Sequence, residues 1–260
     1  MGRCILVDEC NENNYDWKII GACSQGLRHI DENIVCQDKI YSLRSNNVSA
    51  IALADGAGSA LYSHVGAEIA ARALCEKFCA DFDEIINAKS IINAKKIIMD
   101  SVLEDLKKRN ELMPYGLYNM ASTLLGVACD SENFLVVHIG DGIIACFKEG
   151  KTLLISSPYN GEFANETLFT TSKYALQKMK LARAKLENIG GFAIMSDGAD
   201  NSFYNHSEKK FTGLLYEIYR DCVTYSESEN NLDLQDLMDN VVRHNTYDDC
   251  ALILMCRRLV

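Results

Sequence analysis

Aspartates recur beside apolar runs, and they are the residues of this sequence best suited to chemistry. Four are expected where apolar strands end, Asp38 in CQD, Asp55 in LADGAGS, Asp141 in HIGDGI and Asp197 in IMSDGAD, whereas Asp248 and Asp249 in TYDDCALILM precede a strand. A strand that ends in Asp-Gly fixes the carboxylate, while the glycine lets the backbone turn sharply and approach a ligand. Hairpin turns favour the same dipeptide, so one occurrence alone means little. Three occurrences, at Asp55, Asp141 and Asp197, indicate one shared site.

This set of carboxylates predicts a site for hard divalent cations. Mg²⁺ and Mn²⁺ prefer carboxylate, carbonyl and water oxygens as ligands. The histidines (His29, His64, His138, His206 and His244) lack the HxxxH and HxH spacings that are typical of zinc sites. The sequence also has no GxxxxGK[ST] or GxGxxG loop for a nucleotide and no GxSxG segment around a nucleophilic serine. Elimination therefore favours metal-assisted hydrolysis.

Hydrophobic periodicity predicts the elements that must position these aspartates. Strands are expected at 17–24, 48–54, 123–129, 134–139, 143–147, 152–156, 192–195 and 250–256. Helices are expected at 62–79, 83–112, 209–223 and 232–244, with a further one at 174–186 inside a polar, loop-like region. Helix pairs that interrupt runs of strands indicate an α+β fold with helices outside the sheets. With two prolines and no Gly/Ser-rich linker, residues 1–260 are predicted to form a single domain.

Net charge and cysteine content indicate which partners and which cellular compartment to expect. The net charge is −10, from 36 acidic and 26 basic residues, and such a surface repels nucleic acid and anionic lipid. No stretch approaches the roughly 18–20 apolar residues that span a bilayer, so neither a nucleic-acid partner nor a membrane is expected. The 11 cysteines are odd in number and irregularly spaced, without a CxxC pair. They favour buried thiols in a reducing cytoplasm over a disulfide framework.

Seven segments in order carry a family resemblance: GLRHIDENIVCQD, ALADGAGSALYSHVGAEIAA, STLLGVA, HIGDG, GEFANETLF, AIMSDGAD and YDDCALILM. Together they resemble the type 2C (metal-dependent PPM) serine/threonine protein phosphatases, and most of all a bacterial branch in which Gly-x-x-His precedes Gln-Asp. The resemblance covers residues 20–257. It implies a four-layer αββα sandwich of two antiparallel sheets flanked by helix pairs. It also implies a dinuclear Mn²⁺ or Mg²⁺ site between the sheets.

The resemblance assigns roles residue by residue. Asp55 would bridge the two metals, and the Gly56 carbonyl would bind the second. Asp197 and Asp248 would complete the first metal site, Asp38 would hold metal-bound water, and Asp141 matches a ligand of a third, weaker metal in some members. In the family an upstream arginine clamps the substrate phosphate. Here His29 occupies that place with Arg28 beside it, so the phosphate contact rests with either residue.

The activity implied is removal of phosphate from phosphoserine and phosphothreonine in proteins, by attack of a metal-bridging hydroxide. The partners implied are a phosphorylated protein substrate and, in signalling, a cognate serine/threonine kinase. Two alternatives stay open: a catalytically degenerate phosphatase fold used as a regulatory or binding module, and a phosphatase of a small phosphorylated metabolite. Residues 157–190, which contain GEFANETLF, are expected to form a flap beside the site and to set substrate choice.

Overall fold

Two antiparallel five-stranded sheets form the centre of the molecule in the computed structural model, which describes residues 17–158 and 167–257. One sheet contains, in spatial order, β1 (Lys18–Ser24), β12 (Cys250–Cys256), β9 (Ile189–Met195), β6 (Ile143–Lys148) and β7 (Lys151–Ser156). The other contains β2 (Lys39–Ser45), β3 (Val48–Ala54), β4 (Leu124–Cys129), β5 (Asn133–Ile139) and β8 (Lys180–Lys185). A small hairpin pairs β10 (Tyr204–Asn205) with β11 (Lys210–Phe211).

A pair of helices covers the outer face of each sheet. The helices α2 (Ser63–Asn87) and α3 (Ile91–Leu112) pack on the β2–β8 sheet, and α6 (Gly213–Thr224) and α7 (Glu227–Asn240) pack on the β1–β7 sheet. Shorter helices are α1 (Leu27–Asp31), α4 (Ala175–Lys178) and α5 (Asp197–Phe203), with 3₁₀ turns at Leu117–Met120 and Val242–Asn245. The predicted αββα sandwich is therefore confirmed.

The alternation of side chains along a strand explains why the strands read as continuous apolar runs. In β12 the side chains of Leu252 and Leu254 face α6 and α7, whereas Ile253 and Met255 face the other sheet. Because successive side chains point to opposite faces, a strand between two apolar layers must be apolar at every position. Every residue of β3, β4, β9 and β12 is buried.

Three local predictions were wrong. Asp38 does not end a strand but stands directly before β2, whose mixed sequence KIYSLRS shows no continuous apolar run. The helix predicted at 174–186 is only the four residues of α4, and β8 follows it. The sequence KLARAK suits an edge strand because its charged side chains keep the open edge in water. The expected break between the first two long helices lies after Asn87, not at Asp81, where only a kink occurs.

Free cysteines form part of the packed interior. Seven cysteines within residues 17–158 and 167–257 are buried free thiols: Cys75, Cys79, Cys129, Cys146, Cys222, Cys250 and Cys256. Burial raises the pKa of the Cys75 thiol well above its ordinary value, so this group is inert packing rather than a nucleophile. Within the described ranges, no helix is long and apolar enough to cross a membrane.

Candidate metal centre

Three aspartates from separate parts of the chain meet at one end of the two sheets. Asp55 follows β3, Asp141 lies in the turn between β5 and β6, and Asp197 is the first residue of α5, just after β9. One carboxylate oxygen of each residue lies within 4.8 Å of one oxygen of the other two. The three Asp-Gly dipeptides of the sequence therefore do converge on one place.

The backbone around Asp55 is fixed by its neighbour strand. The Asp55 amide donates to the Thr123 hydroxyl at 2.8 Å, and the Thr123 amide donates to the Asp55 carbonyl at 2.8 Å. The next residue, Gly56, pairs with Ser122 as a single β-bridge. A Cβ at Gly56 would lie 2.8 Å from the Ser63 side chain, so the start of α2 approaches as closely as only glycine permits.

The turn that carries Asp141 is held by a buried histidine of β5. His138 Nε2 lies 3.1 Å from the Gly140 carbonyl, and Nδ1 lies 2.7 Å from the Ser156 hydroxyl. Burial and the nearby Lys180 lower the pKa of His138 to about 4, so the ring is neutral. Since a carbonyl only accepts, Nε2 carries the proton and Nδ1 accepts from Ser156. His138 thus ties the Gly-Asp turn to the end of β7.

Asp38 presents an unpaired buried carboxylate to this site. It is 1% exposed, and neither of its oxygens has a hydrogen-bond partner of normal geometry in the described part of the chain. Burial, followed by the negative charge of Asp249, raises the pKa of Asp38 well above its ordinary value, and the nearby Ser196 hydroxyl only partly offsets this rise. A buried carboxylate without donors is costly unless a cation or a water compensates it.

Burial and neighbouring negative charges also raise the pKa values of Asp55 and Asp197. Burial raises the pKa of Asp55 well above its ordinary value, with Asp38 the next cause and Asp197 after it. Burial, then Asp141 and Asp248, raise the pKa of Asp197 to about 7. Crowded carboxylates with raised pKa values are the expected signature of a cation site seen without its cations. The donor set, all oxygen, fits Mg²⁺ or Mn²⁺.

A second group, next to the first, contains one histidine. A ring nitrogen of His29 in α1 and one oxygen each of Asp248 and Asp249 lie within 4.8 Å of one another. Asp248 is exposed, while His29 and Asp249 are buried. The Asp248 charge contributes to the raised pKa values of both Asp55 and Asp197, so the two groups adjoin. All five predicted metal aspartates therefore lie in one region.

The two residues proposed for the phosphate contact differ in accessibility. The Arg28 side chain is 64% exposed, and its Nε lies 3.4 Å from the Glu32 carboxylate, a weak surface pair. The His29 side chain is only 8% exposed, and its Nδ1 lies 2.9 Å from Asp249 Oδ2. Both residues belong to the five-residue helix α1, but only His29 contacts the carboxylate region.

Sequence reasoning misses the positioning role of several of these residues. In the sequence Asp249 is only the companion of Asp248, but its carboxylate accepts from the Gly26 amide at 2.7 Å and from the Gln37 amide at 2.6 Å. Thr167 donates to Asp141 Oδ2 at 2.6 Å. The position of Asp249 directly before the apolar strand β12 is a signal that could have found it, whereas the exposed loop residue Thr167 has none. Residues 159–166, which include the first six residues of GEFANETLF and lie near the start of the expected flap, are outside the described ranges.

The substitution Asp141→Asn distinguishes a metal ligand from a turn residue. Asp141 Oδ1 is buried without a hydrogen-bond partner among the described residues, so the turn itself does not need the second oxygen. We expect Asp141→Asn to keep the melting temperature within a few degrees, to lower kcat and to weaken the dependence on high Mn²⁺ concentration. Thermal unfolding and Mn²⁺ titrations of the rate measure these effects. Unchanged kinetics would make Asp141 a hairpin residue only.

The two-sheet sandwich brings half-buried carboxylates together at its strand ends, an arrangement suited to holding divalent cations. The sequence profile of the family described as Protein phosphatase 2C matches residues 25–238. This match covers most of the chain, which therefore belongs to the protein phosphatase 2C family. Serine/threonine-protein phosphatase 3 of Escherichia coli (strain K12) is 25% identical over 173 residues, which cover 63% of this chain and 66% of that protein, just under two thirds of its length.

Solved structures support the fold independently. A serine/threonine phosphatase of S. agalactiae superposes with a TM-score of 0.59 at 20% identity, covering 93% of this chain and all of that one. Serine/threonine phosphatase Stp1 from Staphylococcus aureus gives a TM-score of 0.62 at 14% identity, and each chain is covered completely. At such low identity these likenesses establish the αββα architecture, which agrees with the observed strand order.

Proposed function

We propose that this protein is a divalent-cation-dependent phosphatase that removes phosphate from phosphoserine and phosphothreonine residues of proteins. The observation that carries the proposal is the buried carboxylate of Asp38, which has no hydrogen-bond partner of normal geometry among the described residues and lies near Asp55 and Asp197. Family membership over residues 25–238 supports the same activity. The serine/threonine phosphatase names of the relatives support a phosphoprotein as the substrate.

The proposed cofactors are two Mn²⁺ or Mg²⁺ ions, with a third, weaker one near Asp141. Asp55 would contact both ions, the Gly56 carbonyl would bind the second, and Asp197 and Asp248 would complete the first position. When bound, such ions lower the pKa of coordinated water and neutralise charge on the transferring phosphoryl group. Burial, and after it the repulsion between the carboxylates, raises the pKa values of Asp55 and Asp197, and a bound cation would offset both costs.

The chain's own groups would orient the reactants. Asp38 lies with both oxygens open to accept hydrogen bonds, so it would fix one water proton and thereby aim the water's lone pair at phosphorus. For the phosphate we favour Arg28, because its exposed guanidinium offers several donors in a planar fork that matches phosphate oxygens. His29 has one ring nitrogen already bonded to Asp249 and offers fewer donors.

The other two readings have less support. A catalytically degenerate binding module would have lost some of the acidic positions, yet all of Asp38, Asp55, Asp141, Asp197 and Asp248 are retained. A small phosphorylated metabolite would need the same metal chemistry, so both kinds of substrate are needed to tell the two activities apart. We further propose a cytoplasmic location, from the buried reduced cysteines, and an opposing serine/threonine kinase as the partner that supplies the phosphoprotein.

Metal removal tests the proposal directly. After dialysis against a chelator, we expect no measurable hydrolysis of a chromogenic phosphomonoester or of a phosphothreonine peptide, and recovery of both on addition of Mn²⁺ or Mg²⁺. The physical reason is that oxygen ligands alone bind hard cations only moderately, so the ions can be removed. Full activity in excess chelator contradicts the proposal. Activity on small phosphomonoesters with none on any phosphopeptide would favour the metabolite reading.

A further inference from the structure

The strand β7 forms one edge of its sheet, and its outer backbone groups are open. The two-residue loop at 149–150 has positive φ at both positions, so Lys148 and Lys151 are the first hydrogen-bonded pair of the β6–β7 hairpin. Because paired and outward-facing residues alternate along an antiparallel strand, the N–H and C=O groups of Thr152 and Leu154 face away from β6. In the described part of the chain, no group donates to them or accepts from them.

The edge of β1, at the opposite side of the same sheet, is closed by α7. Three α7 side chains, spaced four residues apart and therefore on one face of the helix, bond the outward backbone groups of β1. The contacts, at 2.7, 2.9 and 3.0 Å, are Ile19 N to Glu227 Oε1, Gly21 N to Asn231 Oδ1 and Gln235 Nε2 to the Cys23 carbonyl. This edge has no room for another strand.

The two edges of the other sheet are also protected. Thiols of α2 lie 3.6 and 3.7 Å from two carbonyls of β2, Cys75 Sγ from Tyr41 and Cys79 Sγ from Leu43. The strand β8 carries three cationic side chains in the sequence KLARAK, and charges on an edge discourage pairing with another chain. Among the four sheet edges, β7 therefore differs in being neither covered by described residues nor charged along its middle.

The open part of β7 is apolar on both faces of the sheet. Leu153 and Leu154 are each 42% exposed. Leu153 pairs with Cys146 on the face toward the other sheet, and Leu154 pairs with Ala145 on the face toward the helices. An uncharged edge of this kind is a template for an added strand, whose alternate side chains would contact the two leucines. A β-bulge after Leu154 limits regular pairing to residues 151–154.

The direction of β7 indicates which chain would use this edge. Its last residue, Ser156, has its hydroxyl 2.7 Å from His138 Nδ1, and the other ring nitrogen bonds the Gly140 carbonyl in the turn that carries Asp141. A chain bound along β7 therefore leads to the carboxylate region. Four pairing residues are few beside the roughly 20–30 residues per side of a stable interface, so the edge suits a transient substrate better than a second copy.

We propose that the open edge of β7 binds an extended segment of the phosphoprotein substrate as an added strand. The inference rests on the proposed function. Antiparallel pairing is favoured, because every pair in this sheet is antiparallel and such ladders are the more stable. Since β7 runs toward the carboxylate region, an antiparallel partner runs away from it. The phosphorylated residue therefore precedes the residues that pair.

The spacing of the strands gives the distance between the phosphorylated residue and the pairing residues. The added strand would lie about 10 Å from β6, which follows Asp141, and about 15 Å from β9, which precedes Asp197. An extended chain crosses that span with about three to five residues. Docking therefore involves residues roughly four to eight positions after the phosphorylated one.

Peptides of three designs test the direction and the length. Each contains phosphothreonine: one has a single residue on either side, one is extended by about eight residues of Ala, Val and Ser on the carboxyl side, and one is extended equally on the amino side. With wild type at saturating Mn²⁺, we expect the carboxyl-extended peptide to have about 10- to 100-fold higher kcat/KM than the short one, through KM, because two to four backbone hydrogen bonds are added. The amino-extended peptide should match the short one.

Backbone N-methylation of the carboxyl-extended peptide gives a matched control without altering the protein. In an added strand, alternate N–H groups face β7 and the others face solvent. Methylating one alternate set of residues should raise KM to the value of the short peptide. Methylating the other set should leave KM nearly unchanged.

Two substitutions of Leu154 separate backbone pairing from side-chain contact. Leu154→Pro removes an outward N–H at a position where an edge strand tolerates proline, and should raise KM for the carboxyl-extended peptide about 3- to 10-fold. Leu154→Ala keeps the N–H and should change KM less. Hydrolysis of a chromogenic phosphomonoester should be equal in wild type and both variants, which verifies that each is folded with its metal centre intact.

Three outcomes overturn the inference and leave the proposed function standing: equal kcat/KM for all three peptides in wild type, a gain from amino-side extension alone, or equal effects of the two methylation sets. A dimer in solution that Leu154→Pro dissociates would assign the edge to a second copy and would overturn the inference as well. If no phosphopeptide is hydrolysed in a Mn²⁺-dependent way, the proposed function itself fails, and the inference fails with it.

Discussion

The substitution Asp55→Asn is expected to lower kcat/KM by at least about a thousandfold while the protein remains folded. In the proposed site Asp55 would contact both cations, and a neutral amide cannot supply the charge that would bind them. Its burial and the surrounding Asp38, Asp197, Asp141 and Asp248 make its negative charge unfavourable without metal. Removing that charge should therefore raise the melting temperature of the metal-free protein.

The opposite signs of the two effects make this test specific. A substitution that merely damages the fold would lower both activity and melting temperature. Steady-state kinetics at saturating Mn²⁺, thermal unfolding in chelator and Mn²⁺ titration together give the three quantities needed. Asp233→Asn, at an exposed position of α7, is the matched control and should change none of them. Near-normal activity of Asp55→Asn would refute the bridging role.

Most of the fold could be predicted from the sequence, because the central strands are buried on both faces. Strands such as β3 and β12 show as continuous apolar runs, and the long helices show a period near 3.6. The edge strands lack this signal. The edge strands β2 and β8 carry polar or charged residues that keep the open sheet edge in water. Neither strand therefore shows a continuous apolar run, and β8 could be mistaken for a helix.

The carboxylate site could be predicted for a related reason. A strand end followed by glycine is visible in a single sequence, and three such ends point to Asp55, Asp141 and Asp197. Contacts between side chains far apart in the chain produce no local sequence pattern of this kind. The bond between His29 and Asp249 joins residues 220 positions apart, and the spacing of the histidines gives no hint of it. Single hydrogen bonds between distant residues escape motif searches for this reason.

The stability of the metal-free protein is expected to fall as the pH rises from about 5 to 8. Burial and neighbouring carboxylates raise the pKa of Asp197 to about 7 in the folded chain, from its ordinary value of 3.8. Between these values the folded state keeps a proton that the unfolded state has released. Stability therefore decreases with rising pH until the folded group has also lost its proton, near pH 7.

The size of this effect allows a clear measurement. One pKa unit corresponds to about 1.4 kcal/mol, so the part of the window above pH 5 represents at most about 3 kcal/mol. A loss of that size lowers the melting temperature of a chain of this length by about 5–10 °C. Asp197→Asn should flatten the pH dependence by a comparable amount, since its amide does not titrate. A melting temperature that rises from pH 5 to pH 8 in wild type, or an unaltered slope in Asp197→Asn, contradicts the prediction.

Added Mn²⁺ should oppose the loss of stability with rising pH. This effect links the stability measurement to the proposed cofactor. The cation binds the deprotonated carboxylates, so its affinity grows as Asp197 and its neighbours lose their protons. Binding to the folded state alone stabilises it by mass action. The melting temperature in saturating Mn²⁺ should therefore exceed that of the metal-free protein by more at pH 8 than at pH 5. An equal increase at both pH values would mean that the cation binds elsewhere than at these carboxylates.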